Sequence, residues 1–163
     1  MSTTDELLRN AEAYAASFDK GDLPLAPARK VAILACMDAR LIPPRVLGLQ
    51  EGEAHVIRNA GGVASDDAIR SLAISQNLLG TDEVVVMQHT DCGMLKFTDD
   101  DFKRKMKDET GEEPTWPIHT FSDLEENVRE SLKRIEDSPF IPNKGSIRGF
   151  VYEVETGKLR EVS

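Results

Sequence analysis

Cysteine is scarce in this chain of 163 residues: only Cys36 and Cys92 occur. Two are too few for a secreted disulfide scaffold, so a reducing compartment is expected and each thiol needs another purpose. No run of about 18 apolar residues exists, which argues against a membrane-spanning helix. The N-terminus, MSTTDELLRNAEAYAASFDK, lacks the basic region, apolar run and cleavage site of a signal peptide, and the chain is read as cytoplasmic. Basic residues are outnumbered, 20 Lys and Arg against 29 Asp and Glu, for a formal net charge of -9. That balance argues against nucleic acid or an anionic membrane as partner and leaves small molecules and proteins. Also missing are the Gly-x-Gly-x-x-Gly dinucleotide fingerprint, the phosphate-binding Gly-Lys-Ser/Thr motif and any Cys-x-x-Cys redox pair. An Arg six residues after a Cys would suit a phosphatase loop, but Ile42 and Thr98 hold those places.

What is present reads as one domain over residues 1–163, with a core made possible by 40% hydrophobic content. Leu7, Ala11, Tyr14 and Phe18 repeat at helical spacing, and Thr3 with Glu6 makes a capping box, so a helix is predicted over residues 4–18. Two apolar runs, VAILA (31–35) and EVVVMQH (83–89), read as strands, and AHVIR (54–58) is a strand candidate between them. Between them come a short helix around PPRVLGL and a longer one capped by Ser65 or Asp66 and ended at Gly80. TDDDFKRKMKDETG and SDLEENVRESLKRIEDSP read as two further helices, the second with a capping box of Ser122 and Glu125. IRGFVYEV and KLREV, joined through ETG, form a strand and its hairpin partner. The alternation predicts an α/β fold: a mainly parallel sheet flanked by helices, extended by a C-terminal strand or hairpin.

In open parallel sheets, ligands gather beyond the carboxyl ends of the strands. Cys36, Asp38 and Arg40 follow the first strand, Arg58 and Asn59 end the second, and His89, Asp91 and Cys92 close the third. Cys36, His89 and Cys92 form a two-thiolate, one-imidazole set that suits Zn²⁺ with a fourth position open, as in catalytic sites. Asp38 would either fill that position as a metal ligand or stand beside it, paired with Arg40. Each of these residues alone has an ordinary structural reading, a disulfide between the cysteines would leave His89 unused, and a Cys nucleophile with His89 as base is a further alternative. Arg58 and Asn59 would shape the turn or brace the Asp38–Arg40 pair, or serve as salt bridge and turn residue, and Asp91 is read as a turn residue that could also hydrogen-bond near the site. Gly61, Gly62 and Gly93 are expected at close backbone approaches. His55 and His119 are assigned no role, and Met87 and Val63 could wall an apolar slot.

These residues resemble the β-class carbonic anhydrases, short bacterial type. The resemblance rests on Cys36-x-Asp38-x-Arg40, on RNAG (58–61), and on His89-x-x-Cys92-Gly93 within HTDCGM, and runs from about residue 29 to the C-terminus. It implies zinc held by Cys36, His89 and Cys92, with Asp38 and Arg40 as a gating dyad and reversible hydration of CO2 to bicarbonate and a proton by a zinc-bound hydroxide. It also implies a homodimer or larger homo-oligomer in which residues 1–20 pack on a neighbouring subunit. Relatives with the same ligands hydrolyse carbonyl sulfide or carbon disulfide, the alternative activity. Two family positions differ. Pro27 stands where plant-type members place a substrate-contacting Gln, and Ile33 where members with a noncatalytic bicarbonate site carry Trp, so that form of regulation is not expected.

Overall fold

The computed structural model describes all 163 residues. Its centre is a five-stranded sheet of β1 (Val31–Cys36), β2 (Ala54–Asn59), β3 (Glu83–His89), β4 (Ile147–Tyr152) and β5 (Leu159–Val162), in the order β2-β1-β3-β4-β5. The first four strands pair in parallel and only β4 with β5 runs antiparallel. Both β1 and β2 extend one residue past the apolar runs that announce them, to Cys36 and Asn59, which are register partners.

Alternation along β1 and β3 divides the core. Ala32, Leu34, Val84 and Val86 face one side, where α3 (Asp66–Leu79) and α5 (Leu124–Asp137) bring Ala68, Leu72 and Ile135. Ile33, Ala35 and Met87 face the other, with Leu41, Met94 and Ile118. Packed against this second side are Val46 and Leu47 of α2 (Pro43–Leu47) and Phe102 of α4 (Asp99–Thr110). Strands covered on both faces are predominantly apolar because neither face meets water, and burying each large aliphatic side chain contributes about 1.5 to 3 kcal/mol.

The helix starts show where sequence reading slips by one residue. α1 (Thr3–Ala16) is capped by Ser2, whose side chain and that of Asp5 form the capping box, not Thr3 and Glu6. α5 is capped by Asp123, which accepts from Glu126 N, not by Ser122. Neighbouring Ser, Thr and Asp residues are nearly equal as caps, so local propensity does not choose between them. α1 buries none of its residues: Leu7, Leu8 and Tyr14 stay exposed. No helix is long and apolar enough to cross a membrane.

Candidate metal centre

Strand order places the site. The chain passes from β1 to β2 on one side and then to β3 on the other, so connections diverge between β1 and β3 and leave a crevice at their carboxyl ends. Cys36 ends β1, His89 ends β3, and Cys92 lies just beyond it, before a 3₁₀ turn at Gly93–Leu95. All three are buried, and their ligand atoms lie within 4.8 Å of one another. Cys36 Sγ is 4.0 Å from Cys92 Sγ and 3.2 Å from His89 Nε2. Donors on a tetrahedral zinc, with bonds of about 2.0 to 2.3 Å, stand about 3.5 to 3.8 Å apart, so this donor set and spacing fit that ion. Both cysteines are free thiols.

The electrostatics favour a cation here. Of the coupled thiols, Cys36 is held well below an ordinary thiol because Cys92 hydrogen-bonds to its thiolate; burial opposes this and His89 adds to it. The same contact pushes Cys92 upward. Burial alone would lower the His89 pKa, but the hydrogen bond and charge of Cys36 outweigh it and the net shift is upward. Two thiols and an imidazole thus share protons that a divalent metal would displace. His89 Nδ1 lies 2.7 Å from the Thr90 carbonyl, an acceptor only. Nδ1 therefore carries a hydrogen, so once the proton shared with Cys36 is displaced it is Nε2 that presents a lone pair between the thiols.

Asp38 is turned to Arg40. Its Oδ1 accepts from Arg40 N at 2.8 Å and Nε at 3.0 Å, and its Oδ2 from Nη2 at 2.9 Å, while Oδ2 stands 3.6 Å from His89 Nε2. The Arg40 hydrogen bonds hold the carboxyl far below the usual range against the opposing effect of burial. Asp38 lies outside the three-residue donor cluster, with both oxygens engaged by Arg40.

Arg58 and Asn59 shape this loop in different ways. Arg58 donates only to carbonyls, those of Cys36, Asp38 and Leu41, so it is not the salt-bridge residue the sequence also allowed. Asn59 exchanges two hydrogen bonds with the Val63 backbone and closes the following turn. Gly62 has φ of 65°, and a β-carbon there would lie 2.7 Å from Cys36 N. Gly93 has open space around it, because the 3₁₀ turn carries it away from neighbouring backbone. Asp91 holds a positive φ of 52° and also meets Arg40 and Lys96. His55 bonds Ser75, and His119 sits in a loop, neither at the site.

Beside the cluster opens a cleft of about 470 Å³. Its walls are Met94, Phe97, Phe102, Trp116 and Ile118, not Met87 and Val63. Met87 is wholly enclosed by the core, and Val63 follows the turn closed by Asn59. Met37, Ala60 and Gly61 also line it, but the aromatic side chains come from the segment after Cys92, where nothing local in the sequence ties an aromatic residue to the cleft.

The profile of the carbonic anhydrase family matches residues 31–159, a span that carries every element of the site. The chain belongs to the β-class carbonic anhydrases. It is 60% identical to Beta-carbonic anhydrase 1 of Mycobacterium tuberculosis, covering 100% of this chain and 99% of that one. The carbonic anhydrase of Streptococcus mutans superposes with a TM-score of 0.93 at 43% identity, over 100% of this chain and 99% of the other. A carbon disulfide hydrolase of Saccharolobus solfataricus is 36% identical over 96% of this chain and 87% of its own. The Mycobacterium tuberculosis and Streptococcus mutans carbonic anhydrases thus share more of this sequence than that hydrolase does.

Proposed function

We propose that the protein is a zinc enzyme that hydrates carbon dioxide reversibly to bicarbonate, with Cys36, His89 and Cys92 as metal ligands and Asp38 and Arg40 as the catalytic dyad. The observation that carries this reading is the convergence of two buried thiols and one imidazole within 4.8 Å, at the crevice of a β-class carbonic anhydrase fold. Zinc, when bound, supplies the Lewis acidity that makes water nucleophilic at moderate pH.

The chain's own groups do the rest. His89 would offer Nε2 to the metal because its Nδ1–H is committed to Thr90. Asp38, kept ionised by Arg40, would accept a hydrogen bond from the O–H of the attacking water at Oδ2 and aim its lone pair at the substrate carbon. Should Asp38 exchange Arg40 for the metal, it would become a fourth ligand and turnover would stop. Met94, Phe97 and Ile118 offer an apolar wall that suits a small linear gas and keeps competing water out.

The working unit in this reading is one 1–163 domain in a homodimer or larger homo-oligomer. Supporting this, α1 buries none of its residues and leaves Leu7, Leu8 and Tyr14 exposed. A cytoplasmic setting agrees with the two free thiols.

Stopped-flow hydration of CO2 by the zinc-loaded protein, followed across pH, tests the proposal. Turnover that rises with pH is expected, because two thiolates leave bound water less acidic than neutral ligands would. Zinc-loaded protein that leaves CO2 untouched but consumes carbon disulfide or carbonyl sulfide would overturn it.

A further inference from the structure

Arg40 has more partners than its pairing with Asp38 requires. Nε and Nη2 go to Asp38, while Nη1 donates to Asp91 Oδ2 at 3.0 Å and Nη2 also to the Asp91 carbonyl at 3.0 Å. Lys96 Nζ holds the other Asp91 oxygen, Oδ1, at 2.9 Å. Asp38, Arg40, Asp91 and Lys96 therefore form a series of alternating charge that starts at the metal cluster and ends at the surface.

We propose that Asp91 is a positioning residue for the reaction, holding the Arg40 guanidinium so that Nε and Nη2 face Asp38. This rests on the carbon dioxide reading above. Arg40 lies in the turn after β1, and its side chain is 48% exposed. A single ion pair at that exposure is weak and leaves a long side chain free to reorient. A planar guanidinium gripped by the Asp38 carboxylate beside it and by that of Asp91, 51 residues further along the chain, has its plane fixed instead.

The backbone supports the same conclusion. Asp91 holds φ of 52°, a left-handed conformation that side chains seldom adopt and glycine adopts freely. Glycine, asparagine and aspartate all suit such a turn, and of these only aspartate brings a carboxylate to Arg40 and Lys96. Asp91 lies between His89 and Cys92, and the turn that carries two metal donors therefore also carries the anchor for Arg40. Its own oxygens are already taken by Arg40 and Lys96, and it stands outside the donor cluster, which makes it a support for the dyad and not a further ligand.

The test uses two variants of the full-length, zinc-loaded protein. Asp91→Gly removes the carboxylate and suits the left-handed turn; Asp91→Asn keeps an acceptor for Arg40 Nη1 in a residue type that tolerates the same φ. Asp91→Gly is expected to lower kcat about tenfold, with KM for CO2 and zinc content per chain unchanged, and its crystal structure to show Asp38 released from the bidentate pair. Asp91→Asn should restore most of kcat and the pairing. The proposal is overturned if Asp91→Gly keeps both kcat and the Asp38–Arg40 geometry. It is equally overturned if kcat falls only together with zinc content and thermal stability, without rescue by Asn, since a purely structural turn would give that pattern. Zinc-loaded wild type without hydration activity would count against the carbon dioxide reading alone, because the Asp38–Arg40 geometry in the variant decides the role of Asp91 without turnover.

Discussion

Arg58, near the end of β2, donates to the carbonyl of Cys36 twice, from Nε at 2.9 Å and from Nη2 at 2.6 Å. The same Nη2 reaches the carbonyls of Asp38, at 2.8 Å, and Leu41, at 2.6 Å. One guanidinium thus closes the turn that carries Cys36, Asp38 and Arg40, satisfying carbonyls that leave the sheet ladder there.

Arg58→Met keeps much of the side chain's length and removes every one of these donors. A loss of about 2 kcal/mol is expected, mostly from the unpaired carbonyl of buried Cys36, and is measured as a lower urea midpoint. An unchanged midpoint would mean that water replaces the guanidinium at no cost.

Gly62→Ala tests the close approach behind the first ligand. The added β-carbon would meet Cys36 N at 2.7 Å and Ala35 C at 3.0 Å, both backbone atoms that cannot rotate away, in a residue already at positive φ. A loss of more than about 3 kcal/mol is expected, with reduced zinc content, read by thermal unfolding and metal analysis.

Metal analysis of the purified protein should find about one zinc per chain, and Cys36→Ser should find little. Far-UV circular dichroism of the Ser variant should match wild type, because β1 and β3 are buried by apolar packing on both faces without help from a metal. Collapse of the fold would show that the ion is structural.

Asp38→Ala should retain zinc, because the three-residue donor cluster does not include Asp38, and should lose about a hundredfold or more in kcat. Stopped-flow hydration and metal analysis on the same sample check both halves. Loss of zinc would instead mark Asp38 as a permanent ligand.

Acid stability should depend on Asp99. Hydrogen bonds from the Thr120 hydroxyl and backbone N–H lower its pKa below the ordinary 3.8, against the opposing effect of burial. With the folded value depressed, its contribution is fully present above the unfolded value and is lost as pH falls from near 3.8 through the lower folded value. Asp99→Asn should therefore unfold at lower urea than wild type at pH 7, and the gap should narrow as the pH falls below 3.8. Equal midpoints at pH 7 would sink this assignment.

Particular residues show why part of the molecule was legible before its structure. VAILA and the VVVM of EVVVMQH announce strands because burial on both faces demands apolar runs, and the polar residues that follow them mark the strand ends. Three residues of two scarce types, Cys36, His89 and Cys92, at or just beyond the ends of two such runs pointed to the metal centre. The caps at Ser2 and Asp123 were missed by one position because adjacent residues compete almost equally. The periodic apolar residues of α1 announced a helix correctly, yet none of them is buried in the chain. Phe97, Phe102, Trp116 and Ile118 were missed as the cleft's walls because their meeting depends on how α4 and the loop after it fold over the sheet.

The sequence by itself determined the elements and the donor types, because helical and strand periodicity and side-chain chemistry depend only on near neighbours along the chain. Only the tertiary structure decided that Asp91 meets Arg40, that Arg58 serves carbonyls and not a carboxylate, and that Asp38 faces Arg40. These contacts join segments 17 to 51 residues apart, or turn on a rotamer choice between residues two apart, and the order β2-β1-β3 is what brings their strand ends to one crevice.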